Sequence, residues 1–428
     1  MIFVLGDILM TEAVLRRTSA EERAPLLING RTYRFPARPV VVICFDGCDP
    51  EYVDAAMKAG VVPNLARMIG EGFSAIALAA MPTFTNPNNV AIACGASPAV
   101  TGVAGNYYLD RTTGQEVMVL DGHQMLVDTI FAHFAAAGID VAVVTAKDKL
   151  LGALARNMDG IALSAESPEG AVAVLGDSAP AAAADKYSEA LSIYVLDAGI
   201  RLLEEGRGHI LYLSLSDYVQ HKHPPEAPEA LAFIQAVDQR LGRLVELGAT
   251  VGIVADHGMT DMSAADGSPR ITYVQDELEA RFGAGSVRVI CPITDPFVRH
   301  HASLGGFVRV YIKDASLSPK DVQAALTENR DIALALLADE ACARFEMPLA
   351  GEGDVVVVAA PGVALGASRK EHDLTALAGQ RLRSHGGLAE QDVPFILSHP
   401  LTAEYADRAR AGLRNYDIFD FAINGVTR

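Results

Sequence analysis

The sequence predicts an α/β protein with a mostly parallel central sheet, helices on both faces and a smaller inserted α+β cap. Two patterns carry that prediction. Short β-branched runs recur along the chain with helical stretches between them, and most end in a polar, reactive residue. Such alternation is that of βαβ units, whose parallel strands present their carboxyl ends to a ligand. The composition agrees: Trp is absent and aromatics make up 6% of the chain, so Ala, Val and Leu must fill the core. Sheets covered on both faces are built that way. At 428 residues there is chain enough for a large domain and a smaller one.

The elements follow in order. Residues 1–37 read as an N-terminal extension or arm. Its first ten residues are apolar but carry an Asp and no Lys or Arg, unlike a signal peptide, and Met10 is an alternative start. The run 40–45 leads into Asp46, and the run 141–145 into Lys147 and Lys149. The run 210–215 leads into Asp217, the run 250–255 into Asp256 and His257, and 394–397 reads as a last strand. Helical stretches cover 63–71, 129–137, 186–205 and 228–247, and the Ala-rich residues 171–184 read as a surface loop or a helix start. The pattern changes after Ser263. Runs at 287–291, 307–312 and 354–359 alternate with helical stretches at 319–329 and 331–345. Residues 264–370 are therefore expected to form the cap, inserted into a core of residues 38–263 and 371–428.

The formal net charge is −18, which excludes nucleic-acid binding through bulk electrostatics. An anionic substrate would have to be held by a metal or by a few placed lysines. The five cysteines, Cys44, Cys48, Cys94, Cys291 and Cys342, are odd in number and form no CxxC pair, so neither a disulfide framework nor a cysteine zinc site is indicated. A reducing, cytoplasmic setting is expected. No stretch reaches the ~18 uninterrupted apolar residues of a membrane span.

Three Asp and three His fall at strand ends or in turns. Asp46 follows an apolar run. Asp217 and His221 are four apart, which puts both on one face of a helix and within reach of one metal. Asp256 and His257 are adjacent at a strand end, and His385 is followed by two glycines that allow close backbone approach. Carboxylate and imidazole suit zinc, and six ligands divide into two sites of three with open positions. Thr85 lies in a proline-flanked turn before the apolar stretch 90–94, where a helix N-terminus would favour an anion. Each piece alone has a plainer reading: a surface pair, a helix cap, a turn. Their joint order is what carries the chemistry.

The segments FDG, PTFTNPN, SDYVQH, ADHGM and SHGG, in this order, resemble the alkaline phosphatase superfamily. Within it they are most similar to the nucleotide pyrophosphatase/phosphodiesterase branch and to its phosphonate-hydrolysing members, over residues 38–260 and 370–400. The resemblance implies Thr85 as nucleophile, with Asp46, Asp256 and His257 at the zinc that also binds it. It implies Asp217, His221 and His385 at a second zinc, and Asn106 as donor to a phosphoryl oxygen. Lys147 and Lys149 would bind a carboxylate on a small substrate. The implied activity is hydrolysis of the carbon–phosphorus bond of phosphonoacetate through a phosphothreonine, with two Zn2+ per subunit. Phosphodiester or nucleotide pyrophosphate hydrolysis is the alternative. Tyr107 and Tyr108 are open to either a substrate contact or a core role. The resemblance leaves a homodimer open.

Overall fold

The structure is a computed structural model, which describes residues 23–119, 122–183, 185, 188–295, 301–377 and 379–427. Eleven strands position the site. They are β1 (Val40–Cys44), β2 (Phe73–Leu78), β3 (Val141–Thr145), β4 (Ile161–Ser164), β5 (Ile210–Ser214), β6 (Thr250–Val254), β7 (Val287–Ile290), β8 (Phe307–Ile312), β9 (Ile332–Leu337), β10 (Val355–Ala359) and β11 (Asp392–Leu397). The central sheet has seven strands in the order β2-β11-β6-β1-β5-β3-β4. Strand β11 runs antiparallel to both its neighbours. Every other pairing in the sheet is parallel.

Strands β1, β3, β5 and β6 are buried along their whole length, so both faces are covered. Alternation within β5 shows how. Tyr212 stacks on Phe131 of one helical layer at 5.5 Å, while Leu213 on the opposite face packs against Gly199. A Cβ at Gly199 would lie 2.7 Å from Leu213, so glycine sets how closely the helix Ala190–Glu204 approaches the sheet. This is the expected α/β, alkaline phosphatase-like architecture. The last strand, expected at 394–397, begins two residues earlier at Asp392 and is antiparallel. The two edge strands, β2 and β4, fall where no strand was expected. Their sequences, FSAIAL and IALS, are short and only partly buried, so neither a β-branched run nor a clean alternation marks them.

A second, four-stranded antiparallel sheet has the order β7-β8-β10-β9. It carries the helices Pro319–Thr327 and Ala338–Phe345. The stretch 331–345, expected to be helical, is strand β9 up to Leu337 and helix only from Ala338. Ala and Leu favour helix weakly, and pairing with the valine-rich β10 overrides that preference. The cap core contains Met81 and Phe84 beside Phe307 and the valines of β10, so it is continuous with the segment that leads to Thr85.

Residues 26–33 form a hairpin whose Ile28 and Tyr33 are buried in the central core together with Phe35. The part of the expected arm before residue 23 lies outside the described residues. The five cysteines are free, and burial pushes the Cys94 and Cys291 thiols up to about 12. Among the described residues no helix is long and apolar enough to cross a membrane.

Candidate active site

The catalytic geometry begins with a loop that one side chain organises. Asn88 accepts the Ala80 N–H at 2.7 Å and donates to the carbonyls of Ala80 and Phe84. It thereby fixes the turn ahead of the helix Thr85–Cys94. The N-cap position is Phe84, which makes no side-chain cap bond. Thr85 is therefore not a capping residue. Its hydroxyl lies 3.3 Å from His257 Nε2.

The acidic and histidine residues converge here from the ends of β1, β5 and β6. Oxygen atoms of Asp46 and Asp256 lie 3.3 and 3.7 Å from His257 Nε2. Asp217 Oδ2 lies 2.8 Å from His221 Nε2 and 3.9 Å from His385 Nε2. The rings of His257 and His385 stack at 3.5 Å. Two sets of three have all their candidate ligand atoms within 4.8 Å of one another: Asp217, His221 and His385, and Asp46, Asp217 and His257. Asp217 belongs to both. Asp256 stands just behind, where its Oδ1 accepts the N–H groups of Gly47 and His257 and its Oδ2 accepts from Asn89.

The histidines share one arrangement. His221 Nδ1 meets the Arg383 carbonyl at 2.7 Å, His257 Nδ1 the Gly258 carbonyl at 2.9 Å and His385 Nδ1 the Thr83 carbonyl at 2.7 Å. A carbonyl only accepts, so each Nδ1 donates, which turns each Nε2 toward the carboxylates. Metal-binding histidines are oriented in this way. His385 depends on the glycine after it. Gly386 has φ 125°, and a Cβ there would lie 2.4 Å from the Phe84 ring.

The electrostatics point to a cation. Burial, and then the charges of Asp217 and Asp256, push Asp46 up to about 8. Burial lowers His257, but Asp256 and Asp46 outweigh it and raise the ring to about 10. His385 is held well below its usual range by burial and by His257 and His221. Asp46 Oδ1 is buried without a hydrogen-bond partner. Three buried carboxylates crowded into one place are costly alone, and dications would offset the cost. The donor set fits a metal site built of carboxylates and imidazoles.

Asn106 and the two lysines lie at the cap side. The Asn106 N–H donates to Pro292 of the cap, and its Oδ1 is buried without a partner. Lys147 Nζ lies 3.5 Å from Asp217 Oδ1, and Lys149 pairs with Asp295. Burial lowers the Lys147 pKa, but Asp217 and Asp46 outweigh it and hold the ammonium charged. Strand alternation does not place these lysines. The strand ends at Thr145, and Lys149 sits in the first turn of the helix Asp148–Leu154. Tyr107 and Tyr108 lie half-buried on a hairpin, and Tyr107 donates to Glu116.

Sequence reasoning missed several neighbours. Asn89 holds Asp256 and is itself held by Tyr212 and Ser214. Asp295 and His301 come from the cap. The His301 ring lies 5.6 Å from that of His221, and burial and His221 lower its pKa to about 3. An Asp between Thr and Pro, or a His in a polar turn, carries no periodic signal that distinguishes it from a surface residue.

Comparison with known proteins agrees with this geometry. Residues 40–387 match the model of the type I phosphodiesterase / nucleotide pyrophosphatase family. The chain is similar to phosphonoacetate hydrolase from Sinorhizobium meliloti 1021, solved in complex with phosphonoformate and with phosphonoacetate. The identity is 41% and the TM-score 0.87, over 95% of this chain and 100% of that one. Murine ectonucleotide pyrophosphatase / phosphodiesterase 5 shares the fold at 14% identity, with a TM-score of 0.62 over 91% of this chain and 96% of that one. The chain is a hydrolase and belongs, alongside phosphonoacetate hydrolase, to the type I phosphodiesterase / nucleotide pyrophosphatase family.

Proposed function

We propose that the protein hydrolyses the carbon–phosphorus bond of phosphonoacetate to acetate and inorganic phosphate, with two zinc ions per subunit. The observation that carries the reading is the pair of lysines. Lys147 stands beside Asp217 of the carboxylate–histidine cluster, and Lys149 pairs with Asp295, whose charge also acts on Lys147. A small carboxylate suits two ammonium groups, and a nucleobase does not. The similarity to a protein solved with phosphonoacetate supports the same substrate class.

Asp46, Asp256, His257 and Thr85 would hold one ion, and Asp217, His221 and His385 the other. Bound zinc supplies a Lewis acid that lowers the pKa of a hydroxyl and neutralises phosphonate oxygens. Thr85 Oγ1 attacks phosphorus, the P–C bond breaks, and the electron pair leaves with acetate as its enolate. Lys147 and Lys149, on the carboxylate, place positive charge where the enolate charge develops. Asn106 donates to a phosphoryl oxygen. The enolate carbon takes a proton from water, and the hydroxide left behind takes up the proton that the Thr85 hydroxyl gave up. A second water then attacks the phosphothreonine, releasing phosphate and restoring the Thr85 hydroxyl.

A substrate panel tests the reading. Phosphate release from phosphonoacetate should exceed nitrophenol release from bis-nitrophenyl phosphate in kcat/KM. The reverse order would replace the reading with phosphodiester hydrolysis. Metal stripping should abolish turnover, and zinc add-back should restore it.

A further inference from the structure

One short segment of the cap touches two of the groups assigned to the substrate. Pro292 accepts the Asn106 N–H at 2.8 Å, and the Ile293 carbonyl lies 3.4 Å from Asn106 Nδ2. Two residues further on, the Asp295 carboxylate meets the Lys149 ammonium. The side chains of that pair are only 13% and 3% exposed, for Lys149 and Asp295 respectively. Lys147 differs, because its partner Asp217 comes from the central sheet.

The segment is packed on both sides. Ile293 is buried in the apolar cluster that contains Phe84 and Phe307. On the other side, a Cβ at Gly105 would lie 2.9 Å from Pro292, so the loop that bears Asn106 is packed directly against it. Arg309 ties the same loop to the cap by donating to the Ala104 carbonyl and to Glu352. Asn106 and Lys149 are far apart in sequence, yet a single stretch of four residues sets where both stand.

A lysine side chain has four rotatable bonds and gives no fixed geometry by itself. A buried lysine–carboxylate pair gains little net stability but does fix position. We propose that Asp295 is a specificity-determining positioning residue. It holds the Lys149 ammonium at a set distance from Asn106, and so selects phosphonates whose carboxylate stands one carbon from phosphorus. A longer phosphonocarboxylate would carry its carboxylate past Lys149. The inference rests on the phosphonoacetate reading above.

The test uses the zinc-loaded full chain with D295N and D295E. Phosphonoacetate, phosphonopropionate and an activated aryl phosphonate ester without a carboxylate serve as substrates, and calorimetry measures phosphonoformate binding. D295N should raise KM for phosphonoacetate about tenfold or more, the effect of losing one charge-assisted contact. It should weaken phosphonoformate binding by a smaller factor, because that carboxylate is joined directly to phosphorus and reaches Lys149 less well, and leave the aryl ester constants near wild type. D295E keeps the charge on a longer arm, so it should retain more affinity than D295N and narrow the gap between phosphonoacetate and phosphonopropionate. Equal losses on the aryl ester would reduce Asp295 to a structural role. Tighter phosphonoformate binding would make it a competitor of the substrate, and unchanged constants would leave it idle; each outcome overturns the proposal. If D295N does not fold, an unchanged substrate preference in D295E overturns it. Wild-type protein that cleaves the aryl ester but not phosphonoacetate would remove the substrate reading and this inference together. Active wild type with unaltered variants would remove the inference alone.

Discussion

Thr85 is the first residue of its helix, and its hydroxyl faces His257 rather than the backbone. Replacing it by Ala should therefore leave folding intact, and phosphate release measured at saturating zinc should still fall by several orders of magnitude. Near-normal turnover in T85A would take Thr85 out of the mechanism. Replacing Lys147 and Lys149 together by Ala should lower kcat/KM for phosphonoacetate by at least the ~10- to 100-fold expected for lost charge-assisted bonds. An aryl phosphonate ester should be affected much less, and equal losses would argue against carboxylate binding. The six Asp and His residues singled out in the sequence converge in the structure because each follows a buried parallel strand or a turn held by glycine. The residues that escaped notice act through others. Asn89 steadies Asp256, and Asp295 steadies Lys149. Their partners come from distant parts of the chain, so no local pattern could show the pairing.

At the scale of elements, the segment 383–387 depends on backbone shape. Gly386 is in a conformation that L side chains rarely adopt and lies against Phe84. Gly386→Ala should destabilise the protein by roughly 1–3 kcal/mol in urea unfolding and displace His385, lowering zinc content as well. A variant with unchanged zinc affinity would show that the turn adapts. His372 joins two other segments. Its Nδ1 meets the Ala302 carbonyl at 2.8 Å, and its Nε2 accepts the Ala367 N–H at 2.9 Å. Only the neutral ring can do both, and burial holds its pKa below the usual value, outweighing the nearby Glu371. A depressed histidine pKa favours folding fully above its unfolded value of about 6.5, and that stability is lost as pH falls toward the folded value. The drop in unfolding free energy from pH 8 to pH 5 should be smaller in His372→Gln; an equal drop would assign the acid sensitivity elsewhere. The buried strands were legible because nearly every position in them is apolar or β-branched. The edge strands β2, β4 and β9 were not. Pairing with a neighbour determines their state, and FSAIAL, IALS and IALALL carry helix-tolerant residues that say little alone.

For the molecule as a whole, the candidate metal centre would also be a fold-level element, because Asp46 and His385 lie far apart in the chain. Buried carboxylates that repel one another destabilise the metal-free protein. Zinc at about a thousandfold over its Kd should add about 4 kcal/mol, or on the order of 5 °C in melting temperature, against chelator-treated protein. Identical melting curves would mean that the cluster is neutralised by protonation instead. The order of the central sheet has one more consequence, for synthesis. Strand β11 lies between β2 and β6, and β2 has no other strand partner in that sheet. A ribosome finishes β2 and β6 long before β11 emerges. The nascent sheet must therefore wait with a gap that only the last strand can fill, and until then β2 remains an open edge that a chaperone could shield or a neighbouring nascent chain could capture.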